Sequence, residues 1–426
     1  LANKGYPVTV FDRNPVPGGM LTLGIPNFRL EKDVLNAEID ILKDMGVTFK
    51  CGVEVGKDIT IEQLRAQGYK GFYVAIGAQK SARLGVAGEE LTGVYGGVDF
   101  LRAVNLGEQP AVGKRCAVIG GGNVAMDVCR SAVRLGADET YVLYRRSEAE
   151  LPADPEEVRE AMEEGVQFRF LTAPVEILGV DGKVTGIRVE RMALGEPDEK
   201  GRRKPVGTGE FETLAVSAVI SAIGQQIDLC GIDAGSKLRL GKRGTVLVDP
   251  ATYQTAEPDV FAGGDLVTGP KFAIDAIAAG KEAAVSIHRF VHPGQSQLIG
   301  RDHRDYKSLD PATVAVPIES FDNTPRQHAH DGSAEEAKKT FHDLRGVFTE
   351  EQMKKETERC LGCGAVVLNE DQCIGCGICT TKCKFDAIRL EKVNDTHGRE
   401  YFRTLLTVAG NTPAAIGRLV RKTRGR

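Results

Sequence analysis

The stretch that decides the fold is residues 118–127, VIGGGNVAMD, which runs from an apolar segment into a helical pattern. It matches the G-x-G-x-x-A pattern of dinucleotide-binding βαβ units, with Gly120, Gly122 and Ala125 at the fixed positions. Gly120 permits a tight turn, Gly122 lets the backbone approach a pyrophosphate, and Ala125 keeps the helix close to the strand. We predict nucleotide contacts here and in the rest of the first helical turns, at Asn123, Val124 and Asp127.

The next predicted strand ends in Tyr144, Arg145 and Arg146. An acidic residue at this point would bind the free ribose hydroxyls of NAD, whereas arginine suits a 2′-phosphate through charge-assisted hydrogen bonds. The pattern therefore predicts NADPH in preference to NADH. The alternative interpretation is a glycine turn followed by two solvated arginines.

The sequence on both sides of the glycine loop also alternates between strand and helix patterns. From Tyr6 to about residue 94, and again from Arg115, short β-branched runs alternate with helical patterns, which predicts βαβ units and parallel sheets. Between residues 175 and 222 the period changes to two around a polar turn, which predicts an antiparallel hairpin added to the second sheet. Strands at 245–249 and 259–265 and a helix at 273–291 follow. The predicted fold class is α/β, with two Rossmann-like dinucleotide-binding domains.

Composition narrows the function classes. The chain has 426 residues, 42% of them hydrophobic, and a formal net charge of -4, which is typical of a globular protein without a nucleic-acid surface. No run approaches about 18 uninterrupted apolar residues, so we expect no membrane insertion. The 50 glycines predict many positions where the backbone turns tightly or approaches a ligand.

Near the start of the chain, the sequence contains one of the two parts of a second nucleotide-binding motif. Asp12 ends the first predicted strand, where a ribose-binding acid would lie in another dinucleotide fold. Its glycine loop would fall about 20 residues upstream, before Leu1. We therefore expect the chain to begin inside that fold, with residues 1–5 forming the last turn of a helix that ends at Gly5.

Ten cysteines divide into two groups. Six of them crowd between residues 360 and 383, a distribution that favours a metal cluster in a reducing, cytoplasmic compartment over a disulfide framework. The spacing C-x-x-C-x-x-C-x-x-x-C is that of bacterial ferredoxins and predicts a [4Fe–4S] cluster on Cys373, Cys376, Cys379 and Cys383. Cys360 and Cys363 are further candidate ligands, either as substitutes or for a second iron–sulfur site. Zinc on two C-x-x-C pairs is the alternative.

Further motifs flank Asp12 and the phosphate loop: GGML at 18–21, GIPNFRL at 24–30, AIG at 75–77, and FAGGD at 261–265. With these, the chain resembles the small (β) subunit of glutamate synthase and related flavoproteins with two dinucleotide folds, over nearly all of residues 1–292. The relatives include the flavin half of dihydropyrimidine dehydrogenase and the large subunit of bifurcating transhydrogenases. One feature departs from the disulfide reductases of related architecture, because residues 1–292 contain no closely spaced pair of cysteines.

The resemblance implies a set of contacts to FAD and NADPH. Asp12 would hold the adenosine ribose of FAD, the loop that follows would pass the flavin, and the helix near residue 273 would point its N-terminus at the flavin ring. The implied FAD residues are Asp12, Gly19, Met20, Leu21, Gly24, Arg29, Ala75, Ile76, Gly77, Gly264, Asp265, Phe272 and Ala273. The implied NADPH crossing, which matches the one at residues 75–77, consists of Ala222, Ile223 and Gly224.

The domain organisation follows from these assignments. Residues 1–95 are predicted to be the first part of an FAD-binding domain, 96–240 an inserted NADPH-binding domain, and 241–292 the second part of the FAD domain. Residues 293–345 are a polar connector, 346–395 a small ferredoxin-type [4Fe–4S] module, and 396–426 a basic tail. In glutamate synthase small subunits the cluster domain precedes the flavin domain, whereas here it follows.

The leading hypothesis is an oxidoreductase that passes electrons from NADPH through FAD to a [4Fe–4S] cluster and then to a partner subunit or a ferredoxin, as part of a hetero-oligomer. We name no catalytic side chain, because the cofactors supply the chemistry and the protein supplies orientation and electrostatics. The alternatives are a glutamate synthase small subunit proper, a subunit of an electron-bifurcating transhydrogenase, and a redox-sensing scaffold without enzymatic activity.

Overall fold

Strands and helices alternate along most of the chain in the computed structural model, which describes residues 1–197, 203–292, 294–299, 301, 324–330 and 332–359. Nearly all of these residues belong to one unit, Leu1–Glu356. The predicted iron–sulfur ligands between 360 and 383 lie outside the described residues, and so does the basic tail.

The strands, in chain order, are β1 (Thr9–Asp12), β2 (Thr48–Cys51), β3 (Phe72–Val74), β4 (Lys80–Ser81), β5 (Val94–Gly96), β6 (Arg115–Ile119), β7 (Glu139–Tyr144), β8 (Gln167–Phe170), β9 (Thr172–Val180), β10 (Lys183–Pro197), β11 (Arg203–Leu214), β12 (Ala218–Ser221), β13 (Gln225–Gln226) and β14 (Val260–Ala262). A 3-10 turn at Ala2–Lys4 precedes β1 and ends at Gly5 with φ 83°, as the sequence predicted.

The helices are α1 (Met20–Leu23), α2 (Lys32–Asp44), α3 (Ile61–Ala66), α4 (Gly97–Asn105), α5 (Asn123–Arg134), α6 (Pro155–Glu163), α7 (Asp265–Thr268), α8 (Ala273–Phe290), α9 (Ala334–Ala337) and α10 (Glu350–Glu358). Among the described residues, no helix is both long and apolar enough to cross a membrane. Side-chain caps explain where α3 and α6 start, since Thr60 and Asp154 accept hydrogen bonds from the first turns of these helices.

The central region is a five-stranded parallel sheet in the order β5-β12-β6-β7-β8. Side chains of β6 alternate between its faces: Cys116 and Val118 pack with α4 and α5, and Ala117 and Ile119 pack on the other side. Because both faces are covered, β6 is almost continuously apolar, as is typical of a strand in the middle of a parallel sheet. Each fully buried aliphatic side chain contributes roughly 1.5–3 kcal/mol to such a core.

The predicted hairpin does not extend this sheet. Strands β9, β10 and β11 form a separate antiparallel sheet in the order β11-β10-β9, and its residues Ile187 and Val189 pack against Ala117 and Ile119. The sequence analysis was therefore right about the antiparallel strands and wrong about their place. A period of two reports one buried face, and it is the same for a strand added at a sheet edge and for one stacked on a sheet face.

The region predicted to bind FAD has smaller sheets. Strands β1 and β2 form one parallel pair, and β3 and β14 form another, with α8 packing on Phe261 of β14 through Ala283 and Ile287. The predicted strand at 245–249 was wrong, since its only described pairing is a single bridge from Val246 to Leu240. Val246 is nevertheless buried in the apolar cluster beneath β3 and β14, which accounts for its strand-like sequence.

Candidate functional site

The glycine loop between β6 and α5 has the geometry of a phosphate site. Gly120 has φ +141°, and a Cβ placed there would lie 2.4 Å from the carbonyl oxygen of Ala222, so only glycine fits. Gly122 caps α5, and a Cβ placed on it would meet nothing within 4 Å. The start of α5 therefore faces open space, where the positive end of the helix dipole favours a pyrophosphate.

The two arginines that follow β7 lie beside this loop. A Cβ on Gly121 would contact the ring of Tyr144 at 2.6 Å, which places the end of β7 directly against the glycine loop. Arg145 is exposed and Arg146 is half-buried. The Nε atom of Arg146 is buried and has no hydrogen-bond partner among the described residues. An unpartnered buried donor on a guanidinium fits an anionic ligand such as a 2′-phosphate.

Other predicted residues of α5 turn toward the protein. The side-chain oxygen of Asn123 accepts a hydrogen bond from the backbone N–H of Asp154 at 2.9 Å, which ties the loop to the start of α6. Ala125 is fully buried. Asp127 is also buried and accepts a hydrogen bond from Arg29 at 2.8 Å. Burial raises the pKa of Asp127 to about 6, although the charge of Arg29 opposes that shift.

The two predicted domain crossings run side by side. Residues 75–77 lead from β3 to β4, and residues 222–224 lead from β12 to β13. Strands β4 and β13 pair antiparallel, and the N–H of Ala82 donates to the carbonyl of Gly224 at 3.0 Å. The N–H of Ala222 donates to Ile119 at 2.8 Å, so the crossing also borders the phosphate loop. The structure thus brings both crossings and the glycine loop together.

Asp12 lies at the end of β1, where the sequence analysis predicted a ribose-binding acid. Its carboxylate accepts hydrogen bonds from the backbone N–H and the side-chain amide of Asn14, both at 2.9 Å. The Asn14 amide also reaches the side-chain oxygen of Gln79 at 3.4 Å, close to residues 75–77. Sequence analysis missed Asn14 and Gln79. Asn14 is fully buried and its Oδ1 has no partner among the described residues, which fits a polar ligand in this region.

Lys32 holds the loop predicted to pass the flavin. Its ammonium donates to the carbonyl oxygens of Leu21 at 3.0 Å, Ile25 at 2.5 Å and Leu30 at 3.1 Å. Burial lowers the pKa of Lys32 to about 8, with the charge of Asp127 opposing the shift. Gly19, at φ 54°, is the N-cap of α1 within this loop. The sequence analysis did not single out Lys32, because a lysine at the start of a helix carries no distinguishing pattern.

Gly264, Asp265 and the start of α8 come together at the end of β14. Gly264 has φ 66°, and a Cβ on it would lie 3.4 Å from Ala276 in the first turn of α8. The Asp265 carboxylate accepts from the N–H of Lys271 at 3.0 Å, and burial raises its pKa. Phe272 precedes α8 with 73% of its surface exposed, and Ala273 begins the helix. These predicted contacts therefore share one surface.

Arg29 was predicted as part of the flavin loop, and the structure places its guanidinium on two acids of the central region. It contacts Asp127 at 2.8 Å and Glu157 at 2.9 Å. Burial lowers the pKa of Arg29, but Asp127 and Glu157 outweigh this and raise it overall. The neighbouring Phe28 ring lies 4.7 Å from the guanidinium carbon of Arg130 and 4.0 Å from that of Arg134. The loop is thus fastened to α5 and α6.

The described cysteines do not form a metal site. Cys51, Cys116, Cys129 and Cys230 are all free, and Cys116 and Cys129 are buried in the core. Over the described part of the chain, no group of three or more His, Cys, Asp or Glu side chains is arranged to hold a metal ion. The predicted cluster ligands fall outside that part.

Comparisons with known proteins identify families for two parts of the sequence. Residues 1–280 match the pyridine nucleotide-disulphide oxidoreductase family, and residues 366–389 match the 4Fe-4S binding domain. The chain is 44% identical over 372 residues to the NADP(+)-dependent formate dehydrogenase subunit beta of Moorella thermoacetica, covering 85% of this chain and 52% of that protein. It is 38% identical over 304 residues to the glutamate synthase [NADPH] small chain of Escherichia coli (strain K12), covering 67% and 64%.

Among solved structures, the chain resembles a His57Gln mutant of FprA from Mycobacterium tuberculosis, with a TM-score of 0.56 and 22% identity over 67% of this chain and 78% of that one. This likeness supports the fold, an α/β architecture of the dinucleotide-binding type, which the sequence analysis had predicted. The chain spans between about half and two thirds of the length of the two sequence relatives.

Proposed function

This chain belongs to the pyridine nucleotide-disulphide oxidoreductase family, and on that premise we propose that it is an NADPH-dependent flavoprotein oxidoreductase that delivers electrons to an iron–sulfur cluster and a partner protein. The observation that carries the proposal is that the open start of α5 at Gly122 and a buried Nε of Arg146, which has no hydrogen-bond partner among the described residues, flank the same glycine loop. Together they offer a place for a pyrophosphate and a donor for a 2′-phosphate.

The residues at the two sites have separate tasks. Gly120 and Gly122 give room for the pyrophosphate, while Arg145 and Arg146 bind the 2′-phosphate and select NADPH over NADH. At the other site, Asp12 and Asn14 hold the ribose of FAD, and Lys32 fixes the loop over the flavin. When bound, FAD supplies the exchange between two-electron hydride transfer and one-electron transfer. The orienting role of the protein explains why no acid or base is required.

The cluster and the partner complete the proposal. Cys373, Cys376, Cys379 and Cys383 bind the [4Fe–4S] cluster, with Cys360 and Cys363 as candidates for a further site. The names of the relatives, a subunit beta and a small chain, support a hetero-oligomer in which this chain is the NADPH-oxidising component. A cluster of thiolate ligands further supports a reducing, cytoplasmic location.

The test is an anaerobic absorbance titration of the full-length protein, first with NADPH and then, in a fresh sample, with NADH. We expect NADPH to bleach the flavin absorbance at a far lower concentration than NADH, and iron analysis to give about four atoms per chain. Equal bleaching by NADH would contradict the role of Arg145 and Arg146. Zinc without iron would contradict the cluster, and a flavin that neither nucleotide reduces would favour a redox-sensing scaffold.

A further inference from the structure

We propose that Arg203, at the start of β11, helps to set the preference for NADPH. It does so by neutralising Glu150, which lies in the loop after β7 that carries Arg145 and Arg146. The proposal rests on the proposed function. Arg203 Nε and Nη2 both donate to the Glu150 Oε1 atom, at 3.1 Å and 2.9 Å. The antiparallel sheet stacked on the central sheet therefore supplies a third arginine to the region of Arg145 and Arg146.

Glu150 is folded back onto the loop that carries those arginines. Its Oε2 atom accepts hydrogen bonds from the backbone N–H of Ser147, at 3.1 Å, and from the Ser147 hydroxyl. Its carbonyl oxygen accepts from the Tyr144 hydroxyl at 2.7 Å. Hydrogen bonds from Ser147 and then from Arg203 hold the pKa of Glu150 below its usual range. The carboxylate is therefore ionised at neutral pH.

An ionised carboxylate next to a 2′-phosphate site weakens binding of the phosphate, because the two negative charges repel each other. An acidic side chain at the end of β7 would favour the unphosphorylated ribose, because it would accept hydrogen bonds from the hydroxyls and repel a phosphate. Glu150, six residues beyond Tyr144, brings the same negative charge to the loop that follows. Arg203 compensates the charge of Glu150 by a two-point contact while Ser147 keeps the carboxylate on the loop. Arg203 thus acts through Glu150, as a positioning residue that lets Arg145 and Arg146 face the phosphate.

The test uses the full chain, loaded with FAD and cluster, and substitutes Arg203→Gln. Binding of 2′,5′-ADP and of 5′-AMP, two adenosine fragments that differ at the 2′ position, is measured by calorimetry. We expect the variant to lose about five- to tenfold in affinity for 2′,5′-ADP and to bind 5′-AMP as before, since one uncompensated charge at several Å has an effect of this order. In turnover, KM for NADPH should rise and kcat should stay unchanged.

The double variant Arg203→Gln, Glu150→Gln should regain affinity for 2′,5′-ADP, because it removes the charge that Arg203 compensates. Arg169→Gln is the matched control: it breaks another exposed pair to β11, in which Arg169 contacts Glu212 at 3.2 Å. We expect no change in either affinity there.

Equal losses for both fragments, or a double variant as weak as the single one, would overturn the role of Arg203. A wild-type protein that binds 5′-AMP as tightly as 2′,5′-ADP would overturn the NADPH preference itself, and this proposal with it. The two failures are therefore distinguishable, because the second is visible before any substitution is made.

Discussion

Two pairs of arginines lie in the central region, and they have opposite surroundings. Arg130 and Arg134, on α5, keep only 7% and 2% of their side chains exposed and are surrounded by acids. Arg145 is exposed, and Arg146 has a buried Nε without a partner in the described part of the chain. The same residue type is structural where acids balance its charge, and is available for an anionic ligand where they do not.

The buried pair connects distant parts of the chain. Arg130 contacts Glu157 at 3.0 Å and Glu160 at 2.6 Å, and both arginines share Glu164. The Nε of Arg134 also donates to the carbonyl oxygen of Thr340 at 2.9 Å. Through Phe28, which lies against both guanidinium groups, the same cluster holds the loop that precedes α2. The buried pair therefore fastens the regions predicted to bind FAD and NADPH, and the segment around Thr340, to one another.

The largest effect is expected from Glu164→Gln, which leaves two buried guanidinium groups without their shared carboxylate. Removing one partner of a buried ion pair costs about 3–5 kcal/mol, because the remaining charge stays buried. Unfolding of the full chain, followed by circular dichroism in denaturant, measures the loss. Its neighbour Glu163 provides a matched control, since it pairs with Arg159 at 2.8 Å on the exposed side of α6. Glu163→Gln should cost about 0.5 kcal/mol or less, and similar losses from both would contradict the comparison.

The next effect concerns Asp127, whose pKa of about 6 in the folded chain exceeds the value near 4 of an unfolded chain. The protonated form is favoured by folding, so this contribution is complete below pH 4 and is lost as the pH rises through 6. From pH 4 to pH 7, the stability of the wild type should fall relative to Asp127→Asn by at most about 3 kcal/mol. Thermal unfolding of both proteins across this range is the measurement, and parallel profiles would contradict the assigned pKa.

A smaller and more specific effect is expected from Arg146→Gln. A hydrogen bond to a charged group contributes about 1.5–3 kcal/mol, so affinity for NADPH should fall roughly 10- to 100-fold while affinity for NADH changes little. Fluorescence titration with both nucleotides measures the change. The variant should lose little stability, because the Nε has no partner among the described residues and the guanidinium contact with Tyr144 is the interaction at stake. A loss of stability like that of Glu164→Gln would place Arg146 with the structural pair instead.

Local features of the fold were predictable where neighbouring residues fix them. The start of α5, the 3-10 turn ending at Gly5 and helix α8 appear close to their predicted positions, since glycines and periodicity act over one or two turns. The third antiparallel strand and the place of its sheet were not predictable, because period-two alternation does not identify the surface against which a strand packs. The strand predicted at residues 245–249 was wrong because Val246 is apolar and buried without lying in a strand, and burial alone gives a strand-like sequence.

The candidate site also has features that were predictable from the sequence and features that were not. The sequence by itself determined the glycine loop, the arginines after β7 and the spacing of the cysteine cluster, because each depends on backbone geometry or ligand order within a short segment. Only the tertiary structure decided which charges meet. Arg29 contacts Asp127 across 98 residues and Arg203 contacts Glu150 across 53. Electrostatic partners are chosen by proximity in space, and no local pattern encodes that proximity.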